Sequence, residues 1–177
     1  MSTPQNAPPK PHLELNEQTV KEINNGVSAT LMNIFGVKPV PGPHKILTNH
    51  MIEGDVSGIV GIAQHEAEGT LVVSFPKETI FKLLEKMYRK PFTEVDKSVR
   101  DGVGELTNMI FGVFKTNLNR NGFAFQMAIP SVVAGGNHTI TVGDEGQSLV
   151  IPYDSPEGKF VVQIRLNPDR LIKLKSA

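Results

Sequence analysis

Asn25-Gly-Val-Ser-Ala-Thr-Leu-Met-Asn-Ile-Phe-Gly-Val37 aligns without a gap with Asp101-Gly-Val-Gly-Glu-Leu-Thr-Asn-Met-Ile-Phe-Gly-Val113. The two stretches share Gly-Val at the start and Ile-Phe-Gly-Val at the end. Farther along, Glu68-Gly-Thr-Leu-Val-Val-Ser-Phe75 resembles Glu157-Gly-Lys-Phe-Val-Val-Gln-Ile164. Both matches keep the same order, so the chain reads as a duplicated unit of a helix followed by strands. The offset is 76 residues for the helices and 89 for the strands, which places an insertion of about 13 residues in the second unit, within 134–146.

Working outward from the first copy, Val20, Ile23, Val27, Leu31, Ile34 and Phe35 recur at helical spacing over 16–36. Gly36, followed by Pro39, Pro41 and Pro43, ends that helix. Strand character follows near 45–51, 54–63 and 69–75. Pro76 then opens a short helix over 77–90 with Ile80, Leu83, Leu84 and Met87 on its apolar face. The second long helix is predicted over 93–121, closing at Asn121-Gly122. Strands are expected at 124–133, 138–142, 148–153 and 159–166, with turns at Gly135-Gly136-Asn137 and 144–146. The expected class is α+β, a tandem pseudo-twofold repeat whose two long helices pack on a largely antiparallel or mixed sheet. Residues 1–14 hold four prolines and little to bury, so they read as a disordered tail before a single domain over 15–177.

Composition narrows the function classes. The 18 Lys and Arg balance 18 Asp and Glu, so there is no basic excess to neutralise phosphates, and nucleic acid is not an expected partner. No Cys is present, which excludes disulfide scaffolds, thiolate metal sites and Cys nucleophiles. Apolar runs fall far short of the roughly 18 residues that span a bilayer, and the N-terminus lacks an apolar signal segment. A soluble cytoplasmic protein with no membrane partner is expected. The histidines at 12, 44, 50, 65 and 138 lack the i, i+4 pairing of a zinc helix and read as surface residues.

The second long helix carries the candidate chemistry. At 100° per residue, Val99, Val103, Leu106, Ile110, Val113 and Phe114 form the core-facing stripe. Asp101, Glu105, Asn108 and Gly112 lie within about 60° of one another on the opposite side, as one exposed ridge. Spacing alone does not separate such a ridge from an ordinary solvated face. The pattern Asp101-x3-Glu105-x2-Asn108, with Pro130 following after 21 residues, resembles the signature of the CheC/CheX/FliY family of chemotaxis phosphatases. The family spacing to the proline is one residue longer. The string from Glu105 to Gly112 is also similar to the family's Glu-x-x-Asn helix, and the likeness covers about 15–174. Ala29 and Met32 align with Glu105 and Asn108 on the first helix, and neither can orient water or pair with a cation. A single equipped helix resembles the CheX type.

The resemblance implies a phosphatase for the aspartyl phosphate of a CheY-like response regulator. Asn108 would orient the attacking water and Glu105 would dock on the regulator's active-site lysine, with Asp101, Gly112 and Pro130 as partner contacts. It implies no intrinsic cofactor, a Mg²⁺ supplied by the regulator, and a homodimer. The alternative with the same fold is a non-enzymatic module that binds a response regulator or a flagellar component.

Overall fold

In the computed structural model, which describes residues 13–48, 50–64, 67–126, 128–141 and 146–167, both copies of the repeat are visible as layers. Helix α1 (Glu17–Phe35) starts where the Asn16 side chain accepts from the Thr19 N–H, and stops at Gly36, whose φ of 65° turns the chain away. Helix α2 (Lys77–Tyr88) follows Pro76. Helix α3 (Lys97–Arg120) begins later than the predicted 93, because the Asp96 carboxylate caps Val99 N–H and fixes the start. The strands are β1 (Val40–Pro41), β2 (Lys45–Thr48), β3 (Ile52–Gln64), β4 (Ala67–Phe75), β5 (Ser131–Ile140), β6 (Gln147–Ser155) and β7 (Gly158–Asn167). They form one sheet in the order β1-β6-β7-β4-β3-β5, with β2 also on β6, and every pairing is antiparallel.

The two units meet at β4 and β7. Val73 pairs with Val162, the residues that the strand offset of 89 makes equivalent, so the pseudo-twofold axis passes between them. Each unit also lends a strand to the other: β2 of the first pairs with β6, and β5 of the second pairs with β3. The β2 to β3 connection must therefore cross the sheet, as must β5 to β6. The described residues His50 and Gly146, one from each connection, lie on the face opposite the helices. His50 C=O accepts from Gln163 of β7, and Gly146 lies against Arg165 of β7.

The helix-side core is built from Val56, Val60, Leu71, Val73, Phe75, Phe160, Val162 and Ile164 of the sheet against Val27, Leu31, Leu83, Val103, Leu106 and Ile110. Leu13, inside the stretch read as tail, is buried in that core, and residues 1–12 lie outside the described residues. Phe111 is buried beside Phe114 while Val113 is half-buried, and Met87 is exposed rather than buried. Among the described residues, no helix is long and apolar enough to cross a membrane.

Three expectations fail between α3 and β6. Residues 124–126 and 128–130 form no strand: the Asn119 amide takes both backbone groups of Phe125 (2.9 and 3.1 Å), doing the work of a ladder partner. Gly135-Gly136-Asn137 does not divide two strands, because β5 runs through it with a register shift opposite Gly54 and Val56. The extra length is absorbed at Asn137, whose φ is 51° and whose N–H is held by Asp55. His138 is half-buried, not a surface residue, and its Nε2 lies 2.8 Å from Ser57 Oγ. The predicted 144–146 turn falls largely outside the described residues.

Helices α1 and α3 approach most closely at Gly26, where a β-carbon would stand 2.7 Å from the carbonyl oxygen of Ile110. Gly26→Ala should therefore cost about 1–3 kcal/mol by forcing the helices apart. At Gly112 nothing lies within 4 Å of the β-carbon position, so Gly112→Ala should gain up to about 1 kcal/mol of helix propensity. Urea unfolding midpoints of the two variants against the parent chain check both signs.

Candidate functional site

Helix α3 is enclosed on three sides, which defines the side left open. Gly102 packs on Leu84 of α2, Thr107 fits against Gly58 of β3, and Gly104 faces Val132 of β5 at 3.4 Å. Ile110 and Phe114 meet α1 at Gly26. Glycines at 102 and 104 let neighbouring elements close on the helix, leaving Asp101, Glu105, Asn108 and Gly112 on the uncovered strip. Asp101 and Glu105 are exposed, and Asn108 and Gly112 are half-buried.

The electrostatics of these positions differ. Asp101 is paired with Lys97 one turn earlier, 2.5 Å away and exposed, a surface bridge of small worth. Glu105 and Asn108 have no side-chain hydrogen bond or ion pair among the described residues, so both are free to engage another molecule. The Gly112 carbonyl accepts from Thr116 Oγ1 at 2.7 Å. Pro130 is half-buried and directly precedes β5. Val132 pairs with Gly58 and faces Gly104, which brings the start of β5 alongside the part of α3 that carries Glu105 and Asn108. Ile129 beside it is 92% exposed, a surface feature that sequence reading missed because it placed the residue inside a strand. On the first helix, Ala29 is half-buried and Met32 is 44% exposed, so the equivalent positions form an open apolar spot rather than core.

The family described as Chemotaxis phosphatase CheX matches residues 56–154, from β3 through α3 to β6. The chain belongs to the CheX family. It is similar to the CheY-P phosphatase CheX of Thermotoga maritima, at 25% identity over 122 residues, covering 68% of this chain and 78% of that protein. Among solved structures it is similar to a CheC-like superfamily protein from Shewanella sp. PV-4, with a TM-score of 0.80 and 31% identity over 86% of this chain and 99% of that one. A chain of the CheX-CheY-BeF3-Mg²⁺ complex from Borrelia burgdorferi is similar at a TM-score of 0.69 and 25% identity, covering 87% and 99%. The α+β repeat expected from the sequence is thus the CheX fold.

A cleft of about 390 Å³ opens at the N-terminal end of α3, lined by Asp55, Lys77, Thr93, Arg100 and Gly135 among others. Asp55 organises its floor. Pro76 offers α2 no side-chain cap, and the Asp55 carboxylate supplies one from β3, accepting from Lys77 N at 2.9 Å and from Asn137 N at 3.1 Å. These backbone donors, Lys77 first, hold its carboxyl below the ordinary range, with the charges of Lys77 and His138 adding to the effect. A carboxyl lowered on folding contributes stability above its unfolded pKa of about 3.9 and loses it as pH falls through the lower folded value. Asp55→Ala should cost about 1 kcal/mol at pH 7 as a lost helix cap. Urea unfolding at stepped pH should show the gap between parent and variant closing as the medium is acidified.

Proposed function

We propose that this CheX-family chain hydrolyses the aspartyl phosphate of a CheY-like response regulator, with α3 inserted against the regulator's active site. The observation that carries this reading is the pair Glu105 and Asn108, one turn apart on the open strip of α3 and without partners among the described residues. An acyl phosphate is already activated, so catalysis needs a water held in line with phosphorus more than it needs a strong base. The Asn108 amide has both a donor and an acceptor with which to hold that water. The water oxygen bonds to phosphorus as the bond to the aspartyl oxygen breaks, releasing inorganic phosphate and the regulator's carboxylate.

Glu105 pairs with the regulator's active-site lysine and sets the depth at which Asn108 enters. Asp101 and Pro130 form the rim, and the bare surface of Gly112 lets the partner approach the helix backbone. Mg²⁺ belongs to the regulator in this reading, and the related Borrelia complex contains CheY, BeF3 and Mg²⁺ together. The work is cytoplasmic, where response regulators act. The protein acts as a homodimer, since β5 at one end of the sheet and β1 with β2 at the other leave edges to cover and zero net charge does not oppose association.

Phosphate release from phosphorylated CheY-like proteins, with the chain substoichiometric, tests the activity. Asn108→Ala should lower kcat on the order of 10²-fold with an unchanged circular dichroism spectrum, whereas Glu105→Ala should mainly raise KM. A near-normal rate for Asn108→Ala would remove the amide from the mechanism, and binding without acceleration by the parent chain would make it a docking module. Light scattering should give about twice the 19.3 kDa chain mass at micromolar concentration, and a monomer would refute the dimer.

A further inference from the structure

Ile129 is 92% exposed, and among the described residues the next most exposed large apolar side chain is Val40 at 61%. A single apolar side chain at a surface is ordinary, but this one is held out by its neighbours. Ala128 packs against the helix-side core, and Pro130 is half-buried where it leads into β5. Before them, the rings of Phe123 and Phe125 stack at 5.4 Å, and the Asn119 amide grips both backbone groups of Phe125. The chain is thus anchored on both sides of Ile129, while the side chain itself gains almost no burial from the fold.

Its place is beside the open strip of α3. A β-carbon at Gly104 would stand 3.4 Å from Val132, and Ala134, Gly135 and Gly136 line the cleft at the N-terminal end of the helix. Strand β5 therefore runs toward that end. Ile129, three residues before Val132, lies within ~10 Å of it in the opposite sense, where Asn108 follows Gly104 by one turn of ~6 Å. On the other flank of α3, Asn117 donates to Glu22 of α1, and Gly26 stands against Ile110 and Phe114, so the two helices run antiparallel. Met32, ~9 Å beyond Gly26 along α1, is then level with the turn from Glu105 to Asn108. It is 44% exposed. The polar strip is bordered by an apolar side chain on each flank, one from α1 and one from the approach to β5.

We propose that Ile129 and Met32 are the apolar anchors of the partner-binding surface, gripping apolar side chains that border the active site of a CheY-like response regulator on two opposite sides. The proposal rests on the reading of α3 as the helix that enters that site. A stable interface covers about 800 Å² per partner, a patch about 16 Å in radius, so one centred on Asn108 takes in both residues. A second copy of this chain seated on either residue would block the approach to Asn108, so the occupant is the regulator. Labour is then divided: Glu105 and Asn108 supply position and chemistry, and the two apolar side chains supply affinity. Ile129 is suited to this because its backbone is fixed before binding, which leaves little ordering to be lost. The partner implied is a regulator with apolar residues on both rims of its site, and one with charged residues there would be a poor substrate.

The test measures two things for the full chain: affinity for a CheY-like protein activated with BeF3 and Mg²⁺, by calorimetric titration, and phosphate release from the phosphorylated form. Ile129→Asp and Met32→Asp should each weaken binding about 10-fold and raise KM to match with kcat unchanged, and the double variant should lose about 10²-fold. Val40→Asp, on β1 at the far end of the sheet, should bind as the parent does. Both anchors are exposed, so circular dichroism and melting should not change. Should a charged variant misfold, Ile129→Ala and Met32→Ala give the second reading, with losses of about 3-fold expected. Parent-level affinity in either charged variant, or a fall in kcat with binding unchanged, would overturn the anchors and leave Glu105 and Asn108 in place. Conversion of a dimer to a monomer with regulator affinity intact would give the patch to a second copy, which also overturns them. Binding by the parent without phosphate release would refute the phosphatase reading alone, with the affinities still deciding the anchors. No binding by the parent to any CheY-like protein tested would refute both.

Discussion

The antiparallel pairing of β4 with β7 around Val73 and Val162 is the constraint from which the rest of the architecture follows. Joining the repeats through their last strands makes one continuous sheet and fixes its axis. The hairpins of the two units then lie side by side, and the strand that precedes each hairpin, β2 or β5, finds its open edge only beyond the other unit's hairpin. The chain has to cross the sheet twice to satisfy this, and His50 and Gly146, one from each connection, lie on the face the helices leave free. Helices pack on one face of the central strands, and Ile52 and Ile140 pack on Val72 at the other. That is why alternate residues of β4 and β7 are buried in both directions, with Val73 on one side and Val72 on the other at no exposure.

The same axis makes the two long helices neighbours with unequal surroundings. Helix α1 carries no equivalent of the Glu105 and Asn108 pair, and Met32 stands exposed where Asn108 stands on α3. Helix α3 is hemmed in by α2, β3 and β5 through Gly102, Thr107 and Gly104, which holds its open strip in a fixed orientation. A rigid support suits side chains that act by position. The ion pair of Asp101 with Lys97 lies at one end of this strip, so the partner-free carboxylate of the ridge is Glu105.

The face of the sheet away from the helices is more polar than the helix side. Ser57, Ser74 and His138 are linked there by contacts of 2.8 Å, and Gly54 admits them because a β-carbon at that position would collide with the Ser74 hydroxyl. These groups satisfy one another and pin β5 at its bulge, close to the cap that Asp55 gives α2. Arg165 and Gln163 are the contrasting case, buried on the same face with donors and an acceptor unmatched among the described residues.

The sequence by itself determined the duplicated unit, the two long helices with their apolar stripes and closing glycines, and the ridge that carries the family's pattern. Those features are local: helical periodicity and a closing Gly act within a few residues, and each survives translation into any packing. Tertiary structure alone decided that β5 is one strand, because a bulge and the Asp55 carboxylate, far away in sequence, stabilise the Gly135-Gly136-Asn137 backbone that otherwise signals a turn. It likewise decided that 124–126 is not a strand, through the Asn119 amide, and that Ile129 faces solvent. The burial of Arg165 was illegible for the same reason. A strand's alternation tells which residues share a face but not what the rest of the chain later packs against it.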